Sequence, residues 1–400
     1  MLFMPGAVAA ILKTGRRGAA VRAALGGALA VPVALAGPQA GLAGTHAAGA
    51  GWVPQTTPAP AGTTAAGLGS VSCTAADACM AIGGTLTKNG EDPSFGDAWN
   101  GTAWTPQLIT QPPTSDLFGV SCASAVSCMA VGRTSPQAPL AESWNGTSWS
   151  AQSVPLPGGG NSATLTGVSC TSPARCVAVG VDGPLTTPVS ESWNGTTWTP
   201  HTVTLPNSMT GEFLGVSCRS YRSCTAVGTI STSTGFGPMA ASWNGRSWTV
   251  QNVPSPSGVL TDAPLNAVSC PSATDCMAVG IAGTGRGGPT LAEQWNGTAW
   301  TIVSTPRLGG ANASTGLESV SCPRASRCTA VGFRTVKRKT RLLAEQWNGT
   351  RWTVGAPVLP ANAKTSGFGG VSCLAKVGCI AVGGYDTRSS NGIPLAERHS

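Results

Sequence analysis

Charge, histidine and tyrosine are what this sequence has least of. Only 10% of its 400 residues are charged, and it holds 3 histidines and 2 tyrosines. A chain with 41% hydrophobic residues can bury a large core, yet its 54 glycines and 30 prolines are out of keeping with a cytosolic helical protein and match an extracellular β-rich one. Few histidines beside 14 cysteines speak against metal or thiol chemistry and for disulfides made in an oxidising compartment. His46 precedes the patterned part of the chain and His399 is next to the C-terminus, so a Ser/His/Asp triad would rest on His201 alone. Tyr221 and Tyr385, with no cysteine to spare, exclude a copper centre built from Tyr, His and a free thiol. No cofactor, metal or catalytic residue is expected.

Long apolar runs are also missing. The stretch “AALGGALAVPVALA”, residues 23 to 36, is interrupted by Gly and Pro and falls short of the roughly 20 apolar residues that span a bilayer. It follows a basic segment ending at Arg22 and closes on Ala34, Leu35 and Ala36, small residues where signal peptidase cuts. Residues 1–36 are read as a signal peptide and 37–51 as a flexible linker. Arg16 and Arg17 leave the twin-arginine and general secretory routes both open. The formal charge of +8 includes Lys13, Arg16, Arg17 and Arg22, so the mature chain is only mildly basic. No cysteine precedes Cys73, and the C-terminus carries neither an apolar tail nor a sorting motif. A secreted monomer is expected, free or wall-associated, with no stable membrane insertion after cleavage.

What the sequence has in abundance is repetition. Every cysteine belongs to one pattern, “VSC”, five residues, a second Cys, then “AVG” or a near copy. The pairs are Cys73/Cys79, Cys122/Cys128, Cys170/Cys176, Cys218/Cys224, Cys270/Cys276, Cys322/Cys328 and Cys373/Cys379, at intervals of 48 to 52 residues. Twelve of the 13 tryptophans form pairs around an Asn-Gly, from Trp99/Trp104 to Trp347/Trp352, leaving Trp52 single. Each unit reads as four short strands, “LxGVSC”, “CxAVG”, “LAESW” and “TxWTxQ”. The spacing predicts a two-residue type I′ turn at Asn-Gly, with the two indoles diagonal on one face and both turn residues at positive φ.

Trp52 shows how the ends meet. “WVPQTTPAP”, residues 52 to 60, matches the fourth-strand segments “WSAQSVPLP” and “WTVQNVPSP”, while “PLAERHS”, residues 394 to 400, matches “PTLAEQWN” up to the turn and stops. Residues 52–60 therefore supply the fourth strand of the last repeat. A ring closed in this way is an all-β, seven-bladed β-propeller of four-stranded antiparallel blades spanning 52–400.

The order “W…Q…P…L.GV…AVG…W-turn-W” resembles, over residues 52–400, the blades of secreted bacterial propellers of the Asp-box (BNR) and kelch-like kind. Asn-Gly-Thr stands where the Ser-x-Asp-x-Gly turn would be, and the paired cysteines resemble a disulfide-bearing variant in exported proteins of high-GC bacteria. The resemblance implies the fold and little about activity. A sialidase-like site would need arginines, a tyrosine and carboxylates at the axis, whereas Tyr221 stands between Arg219 and Arg222 inside a Cys turn.

Cysteines six apart can face each other across a short antiparallel hairpin, at a separation that a disulfide accepts. Four metal ligands are nowhere gathered and Cys-x-x-Cys is absent. Asp97, Glu142, Glu191, Glu293, Glu345 and Glu397 stand two residues before the first Trp, with Ala241 in the remaining repeat. Repeated around a ring, they read as blade-stabilising hydrogen-bond acceptors rather than as a glycosidase pair. “GTGRGG”, residues 283 to 288, reads as a flexible loop, since Pro289 follows and no strand-to-helix unit surrounds it.

Four-stranded blades put the Cys and Trp turns on one face, where they are uniform. The second-to-third and inter-blade connections fall on the other face and vary, so that rim is the expected binding surface. There Arg334, Lys337, Arg338, Lys339 and Arg341 place five positive charges within eight residues. Such a loop attracts a polyanion, and without interleaved aromatics it does not suit nucleic acid. The expected function is non-catalytic binding of an extracellular glycan, anionic wall polymer or protein. The alternative is a carbohydrate hydrolase or lyase using loop carboxylates such as Glu91, Asp92, Asp116, Glu212, Asp262 and Glu318. Thiol titration of the denatured mature protein is expected to find essentially no free thiol; several titrating cysteines would remove the basis of the disulfide framework.

Overall fold

Alternating apolar and small residues in runs of three to thirteen, punctuated by Gly and Asn, produce strands and nothing helical beyond one short 3-10 turn among the described residues. The computed structural model describes residues 51–400 except 110–111, 113–114, 136, 157–161, 184–186, 234, 257–261, 283–289 and 309–312. The predicted signal peptide, His46, all but the last residue of the linker, and the “GTGRGG” string lie outside the described residues.

The strands run from β1 (Trp52–Gln55) to β28 (Ile393–His399) and form seven four-stranded antiparallel sheets. Blade 1 is β2 (Thr63–Ala75), β3 (Ala78–Thr87), β4 (Ser94–Trp99) and β5 (Trp104–Leu108). Blades 2 to 6 repeat that order, opening at Ser115, Ala163, Gly211, Leu265 and Ser314. Blade 7 consists of β26 (Thr365–Leu374), β27 (Gly378–Asp386), β28 and, on its outer edge, β1. Trp52 lies opposite His399, and Gln55 opposite Ala396. His399 occupies the place of the first Trp of the other blades, its ring centroid 5.0 Å from that of Trp52. The chain is a closed seven-bladed β-propeller.

The first strand of each blade is the innermost, and its “L-x-G-V-S-C” pattern explains the ring. The serine hydroxyl of each strand accepts a hydrogen bond from the amide of the first cysteine in the next blade. Ser72 receives Cys122, Ser121 receives Cys170, Ser169 receives Cys218 and Ser217 receives Cys270, at 2.9 to 3.1 Å. Ser269 receives Cys322, Ser321 receives Cys373, and Ser372 receives Cys73 at 3.0 Å, which completes the circle. Each cysteine is in turn bonded to its partner on the second strand, with Cα atoms 3.9 to 4.1 Å apart, so the ring is covalently fastened to every blade. The described residues contain no free cysteine.

The sequence pattern treats the two cysteines of a pair alike, as the ends of a turn, and here the structure corrects it. The second-strand partners Cys79, Cys128, Cys176, Cys224, Cys276, Cys328 and Cys379 are only 2 to 6% exposed. Each belongs to a different one of the seven core clusters, so these seven are packing residues of the interior and not members of any surface site. Strand period is the cause. The second cysteine shares a face with the alanine two residues on and lies directly opposite the residue in the first-Trp position, as Cys176 does with Ala178 and Trp193. Five of the seven first-strand cysteines, by contrast, are only partly buried.

The “x” of the pattern is a β-bulge. In blade 4, Phe213 pairs with Gly228 and Gly215 with Val227, leaving Leu214 unpaired; the other six inner strands shift register at the equivalent residue. The bulge pushes a carbonyl against the second strand, where a Cβ on Gly228 would lie 2.0 Å from the Glu212 oxygen. The “G” of “AVG” is thus a space requirement.

The tryptophan hairpin differs from expectation. Trp193 lies directly opposite Trp198 rather than diagonal to it, because the loop holds four residues. Asn194 Oδ1 accepts from the Thr196 and Thr197 amides and from the Thr196 hydroxyl, each at 2.9 Å, so the side chain takes the Thr197 amide while the Asn194 amide still donates to the Thr197 carbonyl at 3.2 Å. Gly195 alone takes positive φ, at 104°. Six indole pairs meet in this way, tilted 38 to 47° to each other with centroids 5.4 to 5.8 Å apart. Between blades, Leu, Phe and Val of one sheet fill the space against the Ala and Val of the preceding one, as Phe213 does against Val177 and Val179.

Two substitutions separate these terms. Gly228→Ala must displace the inner strand and is expected to cost about 3 kcal/mol of overpacking. Ser217→Ala removes one bond of the ring and is expected to cost about 1 kcal/mol. Thermal and denaturant unfolding of the oxidised protein check both, and a Gly228→Ala protein as stable as wild type would contradict the close approach.

Candidate functional site

Alternating strand direction places the Cys and Trp turns on one face of the ring and the second-to-third and inter-blade connections on the other. On that variable rim the segment 333–341 is built differently from a loop. The second strand of blade 6 (Arg327–Val336) and the third (Lys339–Trp347) continue outward as a paired hairpin. Lys337 and Arg338 form its two-residue turn with φ of 50° and 63°, the type I′ conformation that the Asn-Gly sites do not use. Lys337, Arg338 and Lys339 are exposed at the tip. Arg334 and Arg341 lie directly opposite each other and half-buried at its base. Arg341 donates to the carbonyls of Thr340 and Lys364, at 3.0 and 2.9 Å, while Arg334 Nε is buried without a hydrogen-bond partner.

At the axis, the seven bulge residues form a collar where neighbouring inner strands touch. They are Gly69, Phe118, Thr166, Leu214, Asn266, Glu318 and Gly369, the most variable position in otherwise uniform strands. Thr166 donates to the Phe213 carbonyl of the next blade at 2.7 Å, and Asn266 Nδ2 to that of Leu317 at 3.0 Å, with Glu318 Oε2 at 3.4 Å. Surrounding protein raises the Glu318 carboxyl to about 7. Arg133 lies over the Phe118 ring at 5.6 Å and pairs with Asp116 at 3.0 Å. The signal for this collar was the “x” itself, a changing residue inside a constant frame.

The remaining carboxylates are dispersed. Glu91 and Asp92 lie in the second-to-third connection of blade 1, Asp262 between blades 4 and 5, and Asp116 and Glu212 on the inner strands of blades 2 and 4. Burial raises Glu212. No group of three or more His, Cys, Asp or Glu is placed to hold a metal among the described residues. His201 occupies the position of Gln152 in blade 2 and makes the same contact, Nε2 to the Ser192 hydroxyl at 2.7 Å against Gln152 to Ser143 at 2.9 Å. Its ring rests on Trp243 with centroids 4.6 Å apart, and burial lowers its pKa.

The six repeated carboxylates lie on the third strands of their blades and are almost wholly buried. As hydrogen-bond acceptors they are less uniform than the pattern implies. Glu345 accepts from the Thr290 hydroxyl and Glu397 from the Val358 amide, both at 3.1 Å, but both oxygens of Asp97, Glu191 and Glu293 have no partner. Burial therefore raises Asp97, Glu142, Glu345 and Glu397 to about 7, and Glu191 and Glu293 to about 8. At pH 7 the four near 7 are about half protonated and the two near 8 mostly so, and all six fill the blade interfaces.

Among solved structures the chain is similar to YCF48 bound to a D1 peptide, with TM-score 0.52 and 14% identity over 87% of this chain and 96% of that one. It is similar to YCF48 from Cyanidioschyzon merolae, with TM-score 0.52 and 15% identity over 88% and 99% of the two chains. A polysaccharide lyase of family PL25, an ulvan lyase bound to -[GlcA(1-4)Rha3S]-, has TM-score 0.51 and 10% identity over 85% and 95%. No family model matches the chain, and no curated protein matches it in sequence. At these identities the likeness shows the propeller fold. The seven disulfides point to an oxidising, extracellular setting, and no helix among the described residues is long and apolar enough to cross a membrane.

The buried carboxyls set a pH dependence. Their folded pKa values exceed those of the unfolded chain, so unfolding releases protons, and stability is greatest below the unfolded values and falls as pH rises through 7 to 8. The thermal midpoint is expected to drop between pH 5 and pH 9, and Glu191→Gln, which cannot ionise, to drop less. Equal slopes in the two proteins would contradict burial of an uncharged carboxyl.

Proposed function

We propose that the protein is a secreted, non-catalytic binding propeller that holds an extracellular anionic glycan, wall polymer or protein against its variable rim. One observation carries the reading, the basic hairpin of blade 6. Arg334 and Arg341 directly opposite each other repel, and although Arg341 donates to two carbonyls, Arg334 Nε is left without a partner, so a bound anion would relieve the pair. Three further charges at the exposed tip extend the field outward. Positive φ at Lys337 and Arg338 costs stability that Asn-Gly would avoid, and their charge is a reason to keep them. Residues 1–36 supply the export signal in this reading, and 52–400 the functional domain.

A hydrolase or lyase is the second reading, favoured by the raised carboxyl of Glu318 in the axial collar beside Asn266, a group that can hold a proton near neutral pH. Polysaccharide-degrading activity lost in Glu318→Gln with the fold intact would support it.

The test of the binding reading is co-sedimentation of oxidised residues 37–400 with bacterial cell envelopes across a salt series. Binding is expected to fade with salt and to fall at least fivefold in Lys337→Asn/Arg338→Gly, which keeps the hairpin and improves its turn. Full binding by that variant would set the hairpin aside.

A further inference from the structure

The Cys and Trp turns form the uniform face of the ring in backbone, yet their exposed side chains are uniform in neither size nor sign. Within them stand eight basic residues and only two acidic ones, Asp77 and Asp275. Four of the eight gather at blades 3 and 4. Arg175 comes from the Cys turn of blade 3, Arg219 and Arg222 from that of blade 4, and Arg246 from the Trp turn of blade 4; all four are exposed. None is ion-paired among the described residues.

Two of these arginines, Arg175 and Arg222, line a pocket of about 420 Å3 together with Ser220, Tyr221 and Gly245. Tyr221 is its half-buried wall, and the Arg175 guanidinium lies 4.8 Å from its ring centroid, fixed over the aromatic face. The stem of Arg222 crosses Gly245 so closely that a Cβ there would meet its Cγ at 2.6 Å. One guanidinium is thus held over the aromatic wall of the pocket, and the stem of a second arginine lines it.

The repeat also gives up a stabilising contact here. In the other five Asn-Gly turns the residue after glycine is a threonine, whose hydroxyl donates to the Asn side chain at 2.8 or 2.9 Å. In blade 4 it is Arg246, whose backbone amide still donates to Asn244 Oδ1 at 2.9 Å but whose side chain does not take up the threonine's bond and instead adds charge beside the pocket. A turn built only for stability has no use for the exchange.

We infer that this face carries a second binding site, centred on Tyr221, that takes the carboxylate or sulfate groups of an acidic polysaccharide. Guanidinium forks match such oxyanions with paired hydrogen bonds, and the four remaining basic residues, in the turns of blades 6 and 7, continue the positive surface across the ring for an extended chain. The site is on the opposite face from the blade 6 hairpin and does not depend on it.

The experiment is calorimetric titration of the oxidised residues 37–400 with dextran sulfate, polygalacturonate and neutral dextran. Wild type is compared with Arg175→Gln/Arg222→Gln and with Lys337→Asn/Arg338→Gly, which remove the same number of charges from opposite faces. The site predicts at least a tenfold loss of affinity for the sulfated or the carboxylated polymer in the arginine variant, less than threefold in the hairpin variant, and no binding of neutral dextran. A response to only one polymer identifies the group the pocket takes. Equal losses in the two variants, or no loss in the arginine variant with its melting curve unchanged, overturn the site, while loss in the hairpin variant alone overturns it and leaves the rim reading standing.

Discussion

Seven hydrogen bonds from cysteine amides to serine hydroxyls run round the axis of this protein, and the rest of the architecture follows from them. An amide of one inner strand can reach a serine of the next only if the two strands nearly touch. The residue between bulge and valine must then be small, and it is Ser70, Gly119, Gly167, Gly215, Ala267, Ser319 or Gly370 in the seven blades. Where it is glycine, as at Gly167, a Cβ would sit 3.3 Å from the Cα of Gly215 in the next blade. Bulky side chains are displaced outward, into the inter-blade layers where Phe213, Leu265 and the tryptophan pairs pack. Each disulfide joins the residue that donates in the ring to a buried cysteine of the second strand, so ring closure and core packing share one covalent link.

Closure at the ends is the weak point of any ring of this kind, and here a strand of four residues performs it. Its grip comes from more than backbone pairing. The Trp52 indole is buried against Phe368 and His399, and the Thr57 hydroxyl donates to the Pro394 carbonyl at 2.8 Å. The inner ring closes independently through Ser372 and Cys73, so the two ends of the chain are held both at the axis and at the edge of blade 7.

Charge is distributed by the same geometry. Six of the chain's 16 acidic residues are buried between blades, where desolvation favours their neutral form, and the exposed surface is therefore more basic than composition implies. That surplus appears on both faces, as a hairpin on the variable rim and as an arginine cluster on the face of the conserved turns. A stapled frame that tolerates exchange at its turn positions can carry recognition on either side.

Blade number, ring closure and cysteine pairing could be read from the sequence alone, because they are one-dimensional facts: a count, a missing complement at each end, and a fixed spacing of six. Local register was less legible. The Asn-Gly hairpin looked like a two-residue turn at Asn194-Gly195, and only the Asn194 side chain, by taking the Thr197 amide, set Trp193 directly opposite Trp198. The hairpin at 334–341 looked like a loop, since nothing in Lys337 and Arg338 announces positive φ. Tyr221 with Arg219 and Arg222 looked misplaced because a wrong loop for an axial site can still be a right one for the face. Tertiary structure alone brought Arg175 onto the Tyr221 ring from the preceding blade, showed the bulge residues to be a collar, sank the second cysteine of each pair into the core, and buried the repeated carboxylates so that their pKa values rise. Those outcomes depend on distances between blades, which no pattern along one chain encodes.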